Sequence, residues 1–246
     1  METQRAILTV DLGTTYFKAC LFDDGGVLRA SARVAPPIAH PLPDRWELAP
    51  EAFLETLRSA IGQTLQARPD LGDKVAAVSF ATQANSFILL DAQGRPLLPF
   101  VLWPDKRSAG APGGPRVMRA LLANRSVTGV PEVGPTFMAS KLHFLLSGDA
   151  ALRTRARSLR LLSDYWQEWL TGSAATEGGV AGLSVLCDSR TLSWIPQACQ
   201  AAGLDGIALP PIVRAGTDLG PIRPAAAASL GLPASCRAVM GALDQY

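Results

Sequence analysis

The sequence predicts an α/β domain with a mixed central β-sheet flanked by helices. Near the N-terminus, three short apolar segments separated by tight turn signals, residues 6–12, 17–23 and 27–34, predict an antiparallel meander. Beyond residue 50, helical periodicity alternates with strand-like runs, which is typical of α/β proteins. Apolar runs near residues 75–80 and 237–242 are therefore predicted to add parallel strands to the meander within a single domain.

Composition narrows the class of protein. The chain has 246 residues, 48% of them hydrophobic, and can bury a substantial core. Its formal net charge is +2 and its Lys and Arg residues are scattered, so we expect no nucleic-acid partner. No apolar run is long enough to span a membrane, and Asp11 interrupts the N-terminal apolar segment, so we expect no membrane contact and a cytoplasmic location. The four cysteines lack Cys-x-x-Cys spacing, which favours reduced thiols over a zinc site.

The first strand ends in residues suited to binding phosphate. Gly13 has no Cβ and allows a ligand to approach the backbone, while Thr14 and Thr15 offer hydroxyl and N–H donors. Asp11 is a candidate ligand of Mg²⁺ through water, and Lys18 adds a cation. The Gly-Thr-Thr segment alone is equally compatible with an ordinary hairpin turn beside a surface acid. The turn signal at residues 23–26 favours the meander, which places the threonines at its first bend.

The middle of the chain alternates between irregular and regular segments. Residues 35–50 contain five prolines, which predicts a surface excursion without helix or central strand. Pro50 suits the first turn of a helix that apolar spacing extends to about Arg68. Two further apolar runs, Ser86–Leu90 and Leu97–Trp103, are predicted strands.

The second half is predicted to be mostly helical. Ser108–Pro115 is rich in Gly, Ala and Pro and is predicted to be a loop. Helices are predicted over Val117–Leu122 and Phe137–Leu146, and from Ser163 to a C-cap at Gly172. The final apolar run, Ala238–Leu243, is a predicted strand that ends directly before Asp244.

Five separated motifs follow one another along the chain: Asp11–Thr15 with Lys18, Gln83–Asn85 before Phe87–Asp91, Trp103–Arg107, Leu170–Gly172 with Thr176–Glu177, and Gly241–Gln245. In this order they resemble the N-terminal domain of the FGGY family of carbohydrate kinases, which includes glycerol kinase and xylulokinase. The resemblance covers essentially the whole sequence. It implies the ribonuclease H-like fold of the actin, sugar kinase and Hsp70 superfamily.

The resemblance implies transfer of the ATP γ-phosphoryl group, with Mg²⁺, to a hydroxyl of a small sugar or polyol. Asp244 would accept the hydroxyl proton, and Gly13, Thr14, Thr15 and Lys18 would hold phosphate oxygens. The implied sugar-binding residues are Gln83, Ala84, Asn85, Trp103, Asp105 and Asp244, with Asn85 as a hydrogen-bonding group and Trp103 against the carbon face of the sugar. For Asp105 the residues leave open a salt bridge or turn with Arg107 instead.

The departures from the family pattern restrict which properties of the family are expected of this chain. Ala84 and Asn85 match neither the xylulokinase nor the glycerol kinase residues, so the particular sugar is not implied. Residues 1–246 correspond to the sugar-binding domain, and the ATP-binding domain of the family is absent from this chain, which is therefore expected to be inactive alone. The alternative is a non-catalytic sugar-binding or interaction module, and a homodimer is left open.

Overall fold

The computed structural model describes residues 5–111 and 113–244. Its central sheet has the strand order β13-β14-β5-β1-β2-β3, with β15 also paired to β5. The strands are β1 (Ala6–Leu12), β2 (Phe17–Asp23), β3 (Leu28–Val34), β4 (Glu47–Leu48), β5 (Val75–Thr82), β6 (Phe87–Leu90), β7 (Phe100–Val101), β8 (Ser158–Leu161), β9 (Thr176–Glu177), β10 (Cys187–Asp188), β11 (Ser193–Trp194), β12 (Ile212–Val213), β13 (Asp218–Pro221), β14 (Arg237–Val239) and β15 (Ala242–Leu243).

Helices flank this sheet, and most of them lie in the second half of the chain. None in the described part of the chain is long and apolar enough to cross a membrane. They are α1 (Pro50–Ala67), α2 (Pro69–Gly72), α3 (Gly114–Leu122), α4 (Arg125–Thr128), α5 (Met138–Gly148), α6 (Ala150–Arg155), α7 (Leu162–Thr171), α8 (Gly178–Leu183), α9 (Pro196–Ala201) and α10 (Pro224–Leu230).

The predicted meander is confirmed. β1 pairs antiparallel with β2, and β2 pairs antiparallel with β3. Alternate side chains of β1 and β2 are fully buried, as the two-residue period of a strand requires when one face packs on the core. The turn between β2 and β3 has Gly26 at φ 75°, and the Asp23 carboxylate accepts hydrogen bonds from the amides of Gly25 and Val27.

The predicted helix from Pro50 covers the buried face of the meander. Pro50 occupies its first turn, and the side chains of Phe53, Leu57 and Ile61 are completely buried. The ring of Phe53 packs edge-on against that of Phe17, with 5.4 Å between centroids. This contact ties α1 directly to the strand that follows the first turn.

The predicted parallel strands are confirmed, although the last one is divided. β5 runs parallel to β1, and both β14 and β15 run parallel to β5. The continuous strand predicted over residues 238–243 is wrong, because Met240 diverts its backbone groups to a neighbouring loop. Its N–H donates to Thr217 O and its C=O accepts from Gly216 N, each at 2.8 Å.

A separate four-stranded sheet, ordered β4-β7-β6-β8, lies beside the central one. The strand predicted over Leu97–Trp103 shortens to the two residues of β7, because Pro96 and Pro99 have no N–H to donate to a ladder. The surface excursion at residues 35–50 contributes the edge strand β4. Helix α7 ends, as predicted, at Gly172 in the left-handed conformation.

Candidate functional site

A cleft of about 240 Å³ brings together residues from four of the five sequence motifs. It opens at the edge of the central sheet where the parallel strands β1, β5 and β15 end. Cα pairing places Leu12 beside Thr82 and Thr82 beside Leu243, so the segments that follow these strands must meet at this edge. The cleft is lined by Thr14, Gln83, Ala84, Asn85, Trp103, Leu183 and Asp244.

The turn after β1 is tight and requires glycine. A Cβ at Gly13 would lie 2.7 Å from the carbonyl oxygen of Tyr16, closer than real Cβ atoms approach. Thr14 lines the cleft, and its hydroxyl accepts a 2.7 Å hydrogen bond from the indole N–H of Trp103. Thr15 and Lys18 are exposed and lie outside the lining of the cleft.

Asp11 lies on β1 opposite Lys18, its cross-strand partner. Partial burial raises the pKa of Asp11, the nearby Asp244 carboxylate raises it further, and Lys18 opposes both effects. Within residues 5–111 and 113–244, no cluster of three or more His, Cys, Asp or Glu side chains could hold a metal ion. Asp11 nevertheless fits Mg²⁺, because in the described residues no donor is hydrogen-bonded to its carboxylate, and Mg²⁺ usually takes one or two carboxylates with phosphate and water oxygens.

Asp244 follows β15 directly and stands exposed at the mouth of the cleft. Its backbone N–H donates to Thr82 O at 3.0 Å, which anchors the residue to the end of β5. Partial burial raises the pKa of its carboxyl group, and the N–H of its own backbone opposes the shift. Gln245, the last residue of the motif, lies outside the described residues.

Gln83 is predicted to bind sugar, and both atoms of its amide group already make a hydrogen bond within the protein. Its Nε2 donates to Leu12 O at 3.0 Å, and its Oε1 accepts from the hydroxyl of Ser86 at 2.9 Å. That hydroxyl in turn accepts from the backbone N–H of Trp103 at 2.9 Å. Gln83 and Ser86 therefore connect the strand before the hairpin turn to the segment that carries the exposed Trp103.

Asn85 and Trp103 present the groups that remain available to a ligand. Asn85 has φ 60°, a conformation that asparagine tolerates better than most residues, and its Oδ1 accepts from Met138 N at 2.9 Å. The Nδ2 group of Asn85 is therefore its available donor. Trp103 is 43% exposed, although its indole N–H is hydrogen-bonded to Thr14, so the ring is held in place at the cleft.

Asp105 lies outside the cleft lining and is completely buried. Its two oxygens accept from Arg107 Nε and Nη2, each at 2.8 Å, and one also accepts from Trp46 N at 2.8 Å. Burial alone would raise the pKa of Asp105, but the hydrogen bonds from Arg107 and the Trp46 amide outweigh it and lower the pKa. The structure thus places Asp105 in the ion pair with Arg107 that the sequence left open, where its oxygens face protein donors.

Two residues of the site were not identified from the sequence. Ser86 is a lone hydroxyl at the start of an apolar run, and this is the signal by which it could have been noticed. Leu183 ends helix α8 and lines the cleft about 80 residues further along the chain than Trp103. No local pattern distinguishes Leu183 from other core leucines.

Replacing Asp105 with alanine is expected to destabilise the protein by about 3–5 kcal/mol, because it leaves the buried Arg107 guanidinium with Glu47 as its remaining ion-pair partner. Urea unfolding measures the change. The matched control is Glu55→Ala, which removes an exposed ion pair with Arg58 and is expected to cost less than about 1 kcal/mol. Unchanged stability together with lost sugar affinity would instead identify Asp105 as a sugar ligand.

Comparison with known proteins places the chain in a family. Residues 6–246 match the N-terminal domain of the FGGY family of carbohydrate kinases. The chain is 30% identical over 243 residues to a glycerol kinase of Thermus brockianus, covering 96% of this chain and 48% of that protein. It is 27% identical over 213 residues to a xylulose kinase of Lactococcus lactis, covering 84% and 41%.

Solved structures agree with the sequence comparison. The crystal structure of a xyloylose kinase from Brucella ovis superimposes with a TM-score of 0.89 at 29% identity, covering 98% of this chain and 49% of that one. A gluconate kinase from Lactobacillus acidophilus superimposes with a TM-score of 0.88 at 23% identity. The predicted fold of the actin, sugar kinase and Hsp70 superfamily is confirmed.

The chain spans about half the length of the curated relatives it matches. The matched half is the N-terminal one, and it contains the hairpin turn, the cleft and strand β15, which Asp244 directly follows. This protein belongs to the FGGY family of carbohydrate kinases, whose N-terminal domain it matches over residues 6–246.

Proposed function

We propose that the chain is the sugar-binding lobe of an ATP-dependent kinase that phosphorylates a hydroxyl of a small sugar or polyol in the cytoplasm. The observation that carries the proposal is the position of Asp244, which lines the same small cleft as Thr14, Asn85 and Trp103. A carboxylate beside a sugar-sized cleft and a phosphate-type turn is the arrangement that phosphoryl transfer to a hydroxyl needs.

Asp244 is the proposed general base. The nucleophile is a substrate hydroxyl, whose proton must leave as the bond to phosphorus forms. The raised pKa of Asp244 moves the carboxylate toward the operating pH, which improves its capacity to accept that proton. The hydrogen bond from its backbone N–H to Thr82 O keeps the residue at the end of the sheet.

The hairpin turn is the proposed contact for the ATP phosphates. Gly13 allows close approach of the backbone, and the hydroxyls of Thr14 and Thr15 can donate to phosphate oxygens. Lys18 stands beside Arg33, its partner on β3, so two cations lie next to the turn. When bound by Asp11, Mg²⁺ would neutralise charge on the phosphate oxygens.

The sugar is proposed to lie between Asn85, Trp103 and Asp244. Asn85 supplies the Nδ2 donor, since its Oδ1 is bonded to Met138 N. The ring of Trp103 offers a flat apolar surface to the carbon face of the sugar. Ala84 and Leu183 complete the wall without adding hydrogen-bonding side-chain groups, so they shape the cleft rather than contact hydroxyls. Gln83 also lines the cleft, and its Nε2 donates one hydrogen bond within the protein.

The test is an assay of the full-length gene product with ATP, Mg²⁺ and a panel of ketoses and polyols, measuring ADP release and sugar binding. Sugar-dependent ADP release supports the kinase. Sugar binding without ADP release would favour the alternative, a non-catalytic sugar-binding module. Residues 1–246 alone are expected to bind ATP weakly and to release no ADP, because the reaction needs a second lobe to exclude water and align the phosphate.

Replacing Asn85 with alanine in the full-length protein is expected to raise the sugar KM about three- to tenfold with turnover little changed, because one hydrogen bond to a hydroxyl is lost while the base remains. Steady-state kinetics separate the two constants. Asn85→Gly is the companion variant, since glycine accepts φ 60° without strain. Equal losses in both variants assign the effect to the amide, whereas loss of turnover at unchanged sugar KM would contradict the assignment.

A further inference from the structure

Lys141 is a completely buried cation whose position the function described above does not explain. It lies on α5, and its ammonium group donates to Asn85 O at 3.0 Å, to Leu102 O at 2.9 Å and to Trp103 O at 3.4 Å. An ammonium group has three N–H donors, so these three carbonyls match its full capacity. All three acceptors belong to the two segments that carry the proposed sugar-contacting side chains.

The charge of Lys141 has no ion-pair partner in the part of the chain that the structure describes. The charges that act on it are Asp105 and Arg107, which already bond to each other. Burial lowers the pKa of Lys141 to about 7, with Asp105 opposing the shift and Arg107 adding to it. Burying an unpaired ammonium is unfavourable for stability, and a hydrocarbon side chain of similar size would fill the space without that penalty.

The same end of α5 also holds the side chain of Asn85. Met138, three residues before Lys141, donates its backbone N–H to Asn85 Oδ1. Helix α5 therefore donates two hydrogen bonds to Asn85, which has a positive φ: one from Met138 N to the side-chain oxygen and one from Lys141 Nζ to the main-chain oxygen. Lys141 also bonds to the second segment, at Leu102 and Trp103, beside the hydrogen bond that the Ser86 hydroxyl accepts from the Trp103 N–H.

We infer that Lys141 is a positioning residue of the cleft: its ammonium group joins the Asn85 turn to the Leu102–Trp103 segment and so sets the distance between the two sugar-contacting side chains. This inference rests on the proposed function for its consequence in catalysis. It concerns chiefly the sugar side of the cleft, since Lys141 contacts the hairpin turn at Gly13–Thr15 indirectly, through the indole N–H that Trp103 donates to Thr14.

The kinetic test replaces Lys141 with methionine in the full-length protein. The sugar KM is expected to rise about tenfold, because small misplacements of binding groups are costly. The KM for ATP is expected to rise less, because Lys141 reaches the hairpin turn indirectly, through Trp103 and Thr14. The matched control is Leu142→Met, a volume-conserving change at the next, equally buried position of α5, which is expected to leave both constants unchanged. If Lys141→Met does not fold, Lys141→Gln, which keeps an N–H donor group, is measured in its place with a smaller expected rise.

A second readout does not depend on activity. In full-length protein labelled with ¹⁵N-tryptophan, the indole resonance of Trp103, assigned through Trp103→Phe, is expected to shift or broaden in Lys141→Met and to stay in place in Leu142→Met. That result with no detectable kinase activity would support the positioning role while the proposed function fails. An unchanged Trp103 resonance and unchanged sugar KM, with altered thermal stability, would overturn the inference and make Lys141 a residue of the core only.

Discussion

Replacing Asp244 with asparagine in the full-length protein is expected to lower turnover at least about a hundredfold while sugar binding is retained, because the amide keeps the shape of the side chain but cannot accept the hydroxyl proton. With Asp244 as the proposed base, kcat/KM of the unsubstituted protein should fall as the pH drops through the pKa of Asp244. Since burial raises that pKa above its ordinary value of 3.8, the loss should begin at a higher pH than for an unperturbed aspartate.

The measurement combines steady-state kinetics with calorimetric titration of the sugar. Asp205→Asn is the matched control, because Asp205 is an exposed aspartate outside the cleft and its loss should leave turnover unchanged. Full turnover in Asp244→Asn would refute the assignment of the base. Loss of sugar binding together with turnover would show that Asp244 acts mainly as a sugar ligand.

Replacing Gly241 with alanine is expected to have the largest effect on folding. A Cβ at this position would lie 1.8 Å from the carbonyl oxygen of Phe80 and 2.6 Å from its carbonyl carbon, and both are backbone atoms that cannot turn aside. Strands β15 and β5 would have to separate, at an expected cost of about 3 kcal/mol or more. The shift would also move Asp244, three residues further on, so any folded enzyme should have lower turnover.

Thermal and urea unfolding measure this effect. The control is Gly182→Ala in α8, where an added Cβ meets no atom within 4 Å. Alanine there is expected to be neutral or to stabilise the helix by up to about 1 kcal/mol. Wild-type stability of Gly241→Ala would mean that β15 does not approach β5 as closely as the structure shows.

Local sequence patterns determined the meander, the first helix and the edge of the sheet where the parallel strands end. The meander was predictable because strand alternation, the turn at residues 23–26 and the proline at the start of α1 are each encoded within a few neighbouring residues. The meeting of the hairpin turn with Asp244 was also predictable, since both follow apolar runs and parallel strands end at the same edge of a sheet.

The use of each polar group was decided by the tertiary structure. Asp105 and Arg107 are neighbours in sequence, yet the burial of their ion pair depends on Trp46, whose N–H is supplied from 59 residues away. Gln83 belongs to a motif that was predicted to bind sugar, and its amide bonds to Leu12 and Ser86. A sequence motif names the chemical groups of a side chain, whereas the partners that occupy those groups come from whichever distant segments the fold brings within hydrogen-bonding distance.

The same reason explains Lys141 and Gly241. The residues next to Lys141 in sequence do not reveal its contacts with the carbonyls of Asn85 and Leu102. The residues next to Gly241 likewise do not reveal the close approach of the Phe80 backbone. Packing brings helix α5 against two turns and β15 against β5, and only then do a lysine and a glycine become necessary. The sequence by itself determined the segments that carry Thr14, Asn85, Trp103 and Asp244 into the cleft, while the contribution of α8 through Leu183 came from the fold. The tertiary structure also decided which atoms of the cleft are free to bind a ligand, because a buried polar group must be satisfied by whatever lies beside it.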